Sequence, residues 1–392
     1  LINLNNIENK IKNNSLESIN EISNMKIRDK SGTFIGARMG RPEKAKLRKL
    51  TGNPNMLFPV GEQGGRMRNL HTAINKGKVT ADFSVFHCRK CNKETIYKKC
   101  EVCNNKTEEN GHRQFSIDVN HYFKHALNKL DIKEYNNLIR GVRGTSNKEH
   151  IPENLAKGVL RSKYNLNVNK DGTIRYDMTE MPVTHFKPKE IFTSVKRLKE
   201  LGYEKDINGN KLENEEQLLE IKPQDVILPA CEESNDEGAD KVLTRIANYI
   251  DDLLEKFYGL EKFYNIKSKE DLTGHLVMGL APHISASMIG RIIGFTKTQG
   301  CFAHPLWHSA QRRDCEGDEN CAMLLMDSLL NFSRHYLPNT RGATQDTPLV
   351  LTSILTPSEV DDMIFDMDLV WEYPLELYEA ALEYKEPWEI KI

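Results

Sequence analysis

Cys88, Cys91, Cys100 and Cys103 fall within 16 residues as two Cys-x-x-Cys pairs separated by an eight-residue loop. Two such knuckles supply four thiolates, the full ligand set of a closed tetrahedral zinc site. A segment this short has little core of its own, so bound metal would supply most of its folding energy. With four sulfurs filling the coordination sphere no position is left for water, and the expected role is structural. Cys231, Cys301, Cys315 and Cys321 are scattered; the last three lack a Cys-x-x-Cys partner and read as ordinary buried thiols.

The rest of the chain is ordinary globular material. Apolar residues make up 39% of the 392, enough for sizeable cores, and two or three domains is the natural division. Fifty-five basic residues against 56 acidic ones leave a net charge of -1. That excludes a binder working by bulk positive charge but leaves room for a local basic patch. Leu272–Gly290 carries no Asp, Glu, Lys or Arg and is long enough to span a bilayer. It nevertheless holds His275, Pro282, His283 and three glycines, too polar for hydrocarbon, and no secretory signal opens the chain. The expected setting is cytoplasmic, with no membrane partner. Because residue 1 is Leu, a piece of a longer protein is expected.

Two charged segments carry chemistry. In residues 38–49, Arg38, Arg41, Lys44, Lys46, Arg48 and Lys49 are opposed only by Glu43, behind glycines at 36 and 40. Such glycines let backbone approach a phosphate that the basic side chains then neutralise, although a solvated helix face has the same composition. The order is not that of a Walker loop. In the second segment, Arg312-Arg313-Asp314-Cys315-Glu316-Gly317-Asp318, the Glu316 and Asp318 carboxylates are two apart. In extended chain they point to one side, and convergent carboxylates are what magnesium takes. His304 and His308, four apart, would share a helix face but lack the glutamate of a His-Glu-x-x-His site.

Periodicity predicts a strand over 79–86, largely helical chain over 115–160, and a hairpin region over 171–186 entered at Asp171-Gly172. A short amphipathic helix is expected over 187–201 and a loop over 231–240. Leu243, Ile246, Ile250, Leu253 and Phe257 recur at helical spacing, with Gly259 as the terminal cap. Residues 322–337 read as mostly buried helix and 349–355 as a buried strand. Four segments follow: a basic-loop and barrel-associated segment over 1–84, the zinc module over 85–108, an α+β accessory region over 109–240, and a catalytic barrel region over 241–392.

The runs FIGARMGRPEKAK (34–46), DGTIRYDMTEMPVTHF (171–186), DDLLEKFYGLEKFYN (251–265), GHLVMGLAPHISASMIGRIIGF (274–295) and HPLWHSAQRRDCEGDENCAMLLMDSLLNFSRHYLP (304–338) closely resemble the large catalytic subunit of the archaeal D-family DNA polymerases. The resemblance covers most of residues 33–378. It implies an α+β multidomain chain with a double-psi β-barrel polymerase core and an inserted four-cysteine zinc module. It also implies template-directed DNA synthesis in replication, with the primer 3′-hydroxyl attacking a deoxynucleoside triphosphate under two-metal magnesium catalysis. The family's acidic pair falls on Glu316 and Asp318, Glu316 standing where the family carries Asp. Arg38, Arg41, Lys44 and Lys46 would meet primer-template DNA or triphosphate, and Arg312 and Arg313 would either join them or pack beside the acidic pair. Cys88, Cys91, Cys100 and Cys103 would hold zinc. A small proofreading exonuclease subunit and a sliding clamp are the implied protein partners. The family's zinc region is usually longer and its large subunit far longer, which implies a fragment, a split-gene product or a reduced relative. Two other readings stay open: a non-catalytic DNA-binding or assembly scaffold, and a metal-dependent nuclease using the same acidic pair.

Overall fold

The computed structural model describes residues 15–22, 52–144, 151–281, 287–311, 319–336, 375–386 and 389. They belong to two compact units, one made of residues 1–36 and 365–392, the other of residues 37–364. In the first unit the described elements are helices α1 (Ser15–Ile22) and α9 (Leu375–Leu382). The predicted strand over 349–355 lies outside the described residues.

In the second unit a three-stranded antiparallel sheet is centred on β1 (Lys78–Cys88), flanked by β2 (Lys93–Thr95) and β3 (Glu108–Asp118). Asp118 ends β3 and starts the next helix, its carboxylate accepting from the Asn120 and His121 amides. That helix, α3 (Val119–Leu130), buries Tyr122, Phe123, Ala126 and Leu130 on one face, and the next described helix is α4 (Leu155–Lys163). Among the described residues the predicted helical stretch over 115–160 is thus two helices with a strand end before them and non-helical chain over 131–144.

The other large element is a closed six-stranded barrel. Around it run β10 (Cys301–Ala303), β4 (Tyr176–Pro182), β11 (Glu319–Leu324), β8 (Leu276–Leu280), β9 (Met288–Thr296) and β7 (Asp225–Pro229). The pairs β4–β10 and β7–β9 are parallel; the remaining four are antiparallel. Alternation sorts the side chains: Val226, Val277, Ile292, Ala322 and Leu324 enter the main core, whereas Met278, Leu280, Cys321 and Met323 form a separate cluster. Both the 109–240 and the 241–392 segments therefore contribute strands to one barrel.

Three expectations are corrected. Residues 171–186 do not form a hairpin. β4 pairs with distant β10 and β11, while β5 (His185–Phe186) pairs with β6 (Leu219–Glu220). The intervening Pro182-Val183-Thr184 lets the chain leave one sheet for another. The helix expected over 187–201 is interrupted: a 3₁₀ turn at Pro188–Glu190 is followed by α5 (Val195–Glu200), capped by the Ser194 hydroxyl. The run entering 322–337 begins as β11 and turns helical only at α8 (Leu325–Asn331), because a short apolar run does not distinguish a buried strand from a helix. The helix around Leu243 stands as expected. It forms α6 (Ala239–Asp252), continues as a π-helical turn over Leu253–Tyr258, and ends at left-handed Gly259.

A buried polar network fastens these parts. The Arg161 guanidinium on α4 donates to both Glu153 carboxylate oxygens at 2.7 Å, and neither side chain is accessible. Arg161 also donates to the Gly172 carbonyl at 2.9 Å, and Glu153 accepts from the Leu57 amide at 3.1 Å. One turn away, Lys157 donates to Asn331 (2.8 Å), whose amide donates to Asp327 (2.7 Å), which accepts from the Ile174 amide (2.7 Å). Burial pushes Asp327 up to about 6 and Lys157 down to about 8. Removing one partner leaves an uncompensated buried charge, so Arg161→Met or Glu153→Gln alone should cost about 3–5 kcal/mol, and changing both together distinctly less. Urea unfolding of the two single variants and the double variant measures this; additive losses would contradict it.

Candidate metal centre and the mouth of the barrel

The four cysteines converge. β1 delivers Cys88 at its last residue, opposite Lys93 on β2, with left-handed Asn92 turning the chain just after Cys91. The second knuckle is a small hairpin in which the Cys100 amide donates to the Asn105 carbonyl (2.9 Å) and the Asn104 amide to the Cys100 carbonyl (2.8 Å). Asn104 is again left-handed, one residue after the second cysteine. Asparagine tolerates that conformation better than other chiral residues.

The Sγ atoms of Cys88 and Cys103 are 3.5 Å apart, those of Cys91 and Cys100 3.9 Å, and all four lie within 4.8 Å of one another. A tetrahedral zinc with Zn–S bonds of about 2.3 Å has S···S edges of about 3.8 Å, close to the 3.5 and 3.9 Å of these two pairs, so the cluster could hold a tetrahedral metal ion. The thiols titrate unevenly. Hydrogen bonding with Cys103 leads the causes that push Cys91 up to about 12, while the Asn105 backbone leads those that draw Cys103 down to about 7. Four thiols this close ionise together only around a cation. Among the described residues no other cluster of three or more His, Cys, Asp or Glu converges in this way.

The module is tied inward. The Glu101 carboxylate, between Cys100 and Cys103, accepts from the Thr95 hydroxyl (2.5 Å) and meets His121 Nε2 of α3 at 2.9 Å. Ile96 and Tyr97 from the loop between the knuckles join the main core, and the Tyr97 hydroxyl accepts from the Leu155 amide at the start of α4. Sequence spacing carried no signal of these ties, since each partner lies on another element.

The second candidate region is the approach to β11. Helix α7 (Pro305–Ala310) packs against β4 and β9. Its Trp307 indole lies over Gly279 and Gly290, where a Cβ on Gly279 would stand 2.3 Å from the ring. Only glycine admits that approach. Indole Nε1 donates to the Ile289 carbonyl at 3.3 Å, and the buried Gln311 amide donates to the Trp307 carbonyl at 3.0 Å. His308 is buried against the Glu180 carboxyl of β4, and burial pushes its imidazole down to about 4. His304 Nδ1 accepts from the Leu306 amide. The two histidines therefore serve packing and the start of α7 rather than one metal.

Glu316, Asp318, Arg312 and Arg313, like Arg38, Arg41, Lys44 and Lys46, lie outside the described residues. The chain enters the acidic segment from Gln311 and leaves it at Glu319, which pairs with Thr179 of β4. Thr179 also lines a polar cleft of about 520 Å³ that includes Asn55, Asn169, Asp177, Arg245 and Gln299.

Because metal binding and local folding are coupled, Cys100→Ser should abolish stoichiometric zinc retention and lower the melting temperature, and a strong chelator should do the same to the unaltered chain. Elemental analysis with thermal unfolding measures both; retained metal would contradict the four-sulfur site.

Residues 131–392 match the family described as DNA polymerase II large subunit DP2, catalytic domain, and residues 2–121 match the central domain of the same subunit. The DNA polymerase II large subunit of Nanoarchaeum equitans is 45% identical over 436 residues, which cover 96% of this chain and 35% of that protein. The corresponding protein of Archaeoglobus fulgidus is 47% identical over 407 residues (96% and 35%), and that of Pyrococcus furiosus 44% over 405 residues (96% and 32%). This chain spans about a third of the length of these curated relatives. By sequence over nearly its whole length, the chain belongs to the DNA polymerase II large subunit DP2 family.

Proposed function

We propose that this chain carries the nucleotidyl-transfer centre of a replicative DNA polymerase. The observation that carries the reading is the acidic segment's position in the chain: it runs directly into a strand of a closed barrel, within the span matched by the family's catalytic domain. The barrel's two parallel pairs, β4–β10 and β7–β9, each joining strands distant in sequence, support the double-psi architecture expected from the resemblance.

In this reading Glu316 and Asp318 hold magnesium, for which a pair of hard carboxylate oxygens is a suitable donor set. When bound, magnesium favours the ionised 3′-oxygen and stabilises the departing pyrophosphate. The protein's own groups bind and orient. Arg38, Arg41, Lys44 and Lys46 neutralise template or triphosphate oxygens, with Arg312 and Arg313 beside the acidic pair. The polar cleft next to Thr179 has the volume of a nucleotide site, and its amide side chains suit a sugar or base edge. Cys88, Cys91, Cys100 and Cys103 hold structural zinc. A small proofreading subunit and a sliding clamp complete the assembly in the cytoplasm. The four segments 1–84, 85–108, 109–240 and 241–392 serve as basic loop, zinc module, accessory region that also lends β4 and β7 to the barrel, and catalytic region.

The test is magnesium-dependent primer extension by the full-length protein with its small subunit, compared with the Asp318→Asn form. Extension that falls by orders of magnitude in the variant supports the acidic pair as the metal site, with Glu316 a working ligand. Equal extension by both forms, or none by either, transfers the case to the scaffold reading, whose motive is Glu316 in place of the family's Asp. Degradation of DNA without nucleotides would point instead to the nuclease.

A further inference from the structure

Lys99 and Lys106 face each other across the second knuckle as an antiparallel pair. The flanking bonds, Thr107 amide to Lys98 carbonyl and Cys100 amide to Asn105 carbonyl, make it a non-hydrogen-bonded pair, in which side chains stand closest. Like charges directly opposite destabilise such a hairpin. Both side chains are exposed. Strand alternation turns them to the face opposite the buried Cys100, so they are not placed to balance the thiolates.

The charge continues onto neighbouring elements. Lys129, in the last turn of α3, has its ammonium 3.9 Å from the centre of the Phe257 ring. It is drawn below the ordinary lysine range by burial and then by Lys99. Lys98, turned to the other face of the hairpin, has its Nζ 3.3 Å from His335 Nε2 and stands apart from this edge. Glu101, two residues from Lys99, is turned inward onto Thr95 and His121, and Glu108, two residues from Lys106, pairs with Arg89 at 2.7 Å.

We infer that this edge, Lys99 and Lys106 of the zinc knuckle with Lys129 of α3, is a contact surface for the phosphate backbone of duplex DNA, made of residues other than the basic run at 38–49. Lysines on flexible stems, without a pocket or bidentate geometry, suit a repeating line of phosphates rather than one defined anion. Anion binding would relieve the Lys99–Lys106 repulsion, so the hairpin pairs best when the surface is occupied. The inference rests on the reading that the chain works on DNA. It also gives the metal a second task, since the zinc knuckle fixes the hairpin that brings the two lysines together.

The experiment measures binding of the full-length protein to a fluorescent primer-template duplex as a function of potassium chloride, for the unaltered protein and for Lys99→Gln/Lys106→Gln. Each phosphate contact contributes about 0.9 to the slope of log affinity against log salt. The double variant should lose about 1.8 of that slope and bind on the order of 10-fold to 10²-fold more weakly near 0.1 M salt. Zinc content should be unchanged and the melting temperature unchanged or raised. Removing two exposed charges from α5 instead, with Lys196→Gln/Lys199→Gln, should leave the slope as it was. An unchanged slope in the knuckle variant overturns the inference. So does an equal fall in the α5 variant, which marks a bulk charge effect, or loss of zinc from the knuckle variant, which marks a role for the metal site. Extension by the Asp318→Asn form reports on the catalytic reading separately: activity there with a reduced slope here would sink the first and keep the second.

Discussion

The interaction on which the second unit depends is the buried pair of Arg161 and Glu153. Arg161 reaches the carbonyls of Asn55 and Gly172 while Glu153 accepts from Leu57, so one ion pair fastens α4 to the chain before β1 and to the turn leading into β4. Gly172 is left-handed, and a Cβ there would stand 2.4 Å from the Asn331 carbonyl. The turn, the pair and the end of α8 thus occupy one crowded volume. Isolated buried charges are costly, and this pair persists because its donors and acceptors converge on backbone groups that would otherwise be buried without partners.

That arrangement bears on the barrel. Asp327 accepts from the Ile174 amide, which ties the start of α8 to the residue two before β4. β4 and β11 are antiparallel, with Tyr176 opposite Ala322 at the tied end and Thr179 opposite Glu319 at the other. The polar network therefore holds one end of the β4–β11 pair, and the acidic segment enters at the opposite end. On that side the packing of α7 takes over, through Trp307 on the two glycines and His308 against Glu180. A pair of strands fixed at both ends by buried groups is a rigid platform, which is what metal-binding carboxylates need.

Much of this was legible in the chain and some was not, for physical reasons. Cys-x-x-Cys spacing is local chemistry, so the four-sulfur cluster could be read directly. The Leu243 helix was legible because five apolar residues kept one period and Gly259 marked its end. The apolar run Ala322-Met323-Leu324 carried no period of its own, and pairing with β4 and β8 decided that it became strand. Residues 171–186 carried turn and strand signals, but strand partners in a barrel are set by long-range closure, which no local signal encodes. Arg161, Glu153, Trp307 and Gly279 looked unremarkable in sequence because their meaning lies in contacts between separate elements. The acidic pair and the basic run were found by composition and resemblance, and they fall outside the described residues.

A net charge of -1 on a chain read as a DNA polymerase looks like a contradiction until screening is considered. At physiological salt the Debye length is about 8 Å, so a phosphate responds to the charges beside it and hardly to the sum over 392 residues. Acidic residues farther away than this do not weaken a local contact. What matters is that positive side chains are grouped and their nearby carboxylates engaged. Residues 38–49 achieve the first by sequence alone. The second knuckle sets Lys99 beside Lys106 by structure, while Glu101 turns away to Thr95 and His121 and Glu108 pairs with Arg89. On the proposed reading, a chain of nearly zero net charge with cations grouped in this way would bind phosphate where those groups stand and elsewhere weakly, and that contrast would set its register on DNA.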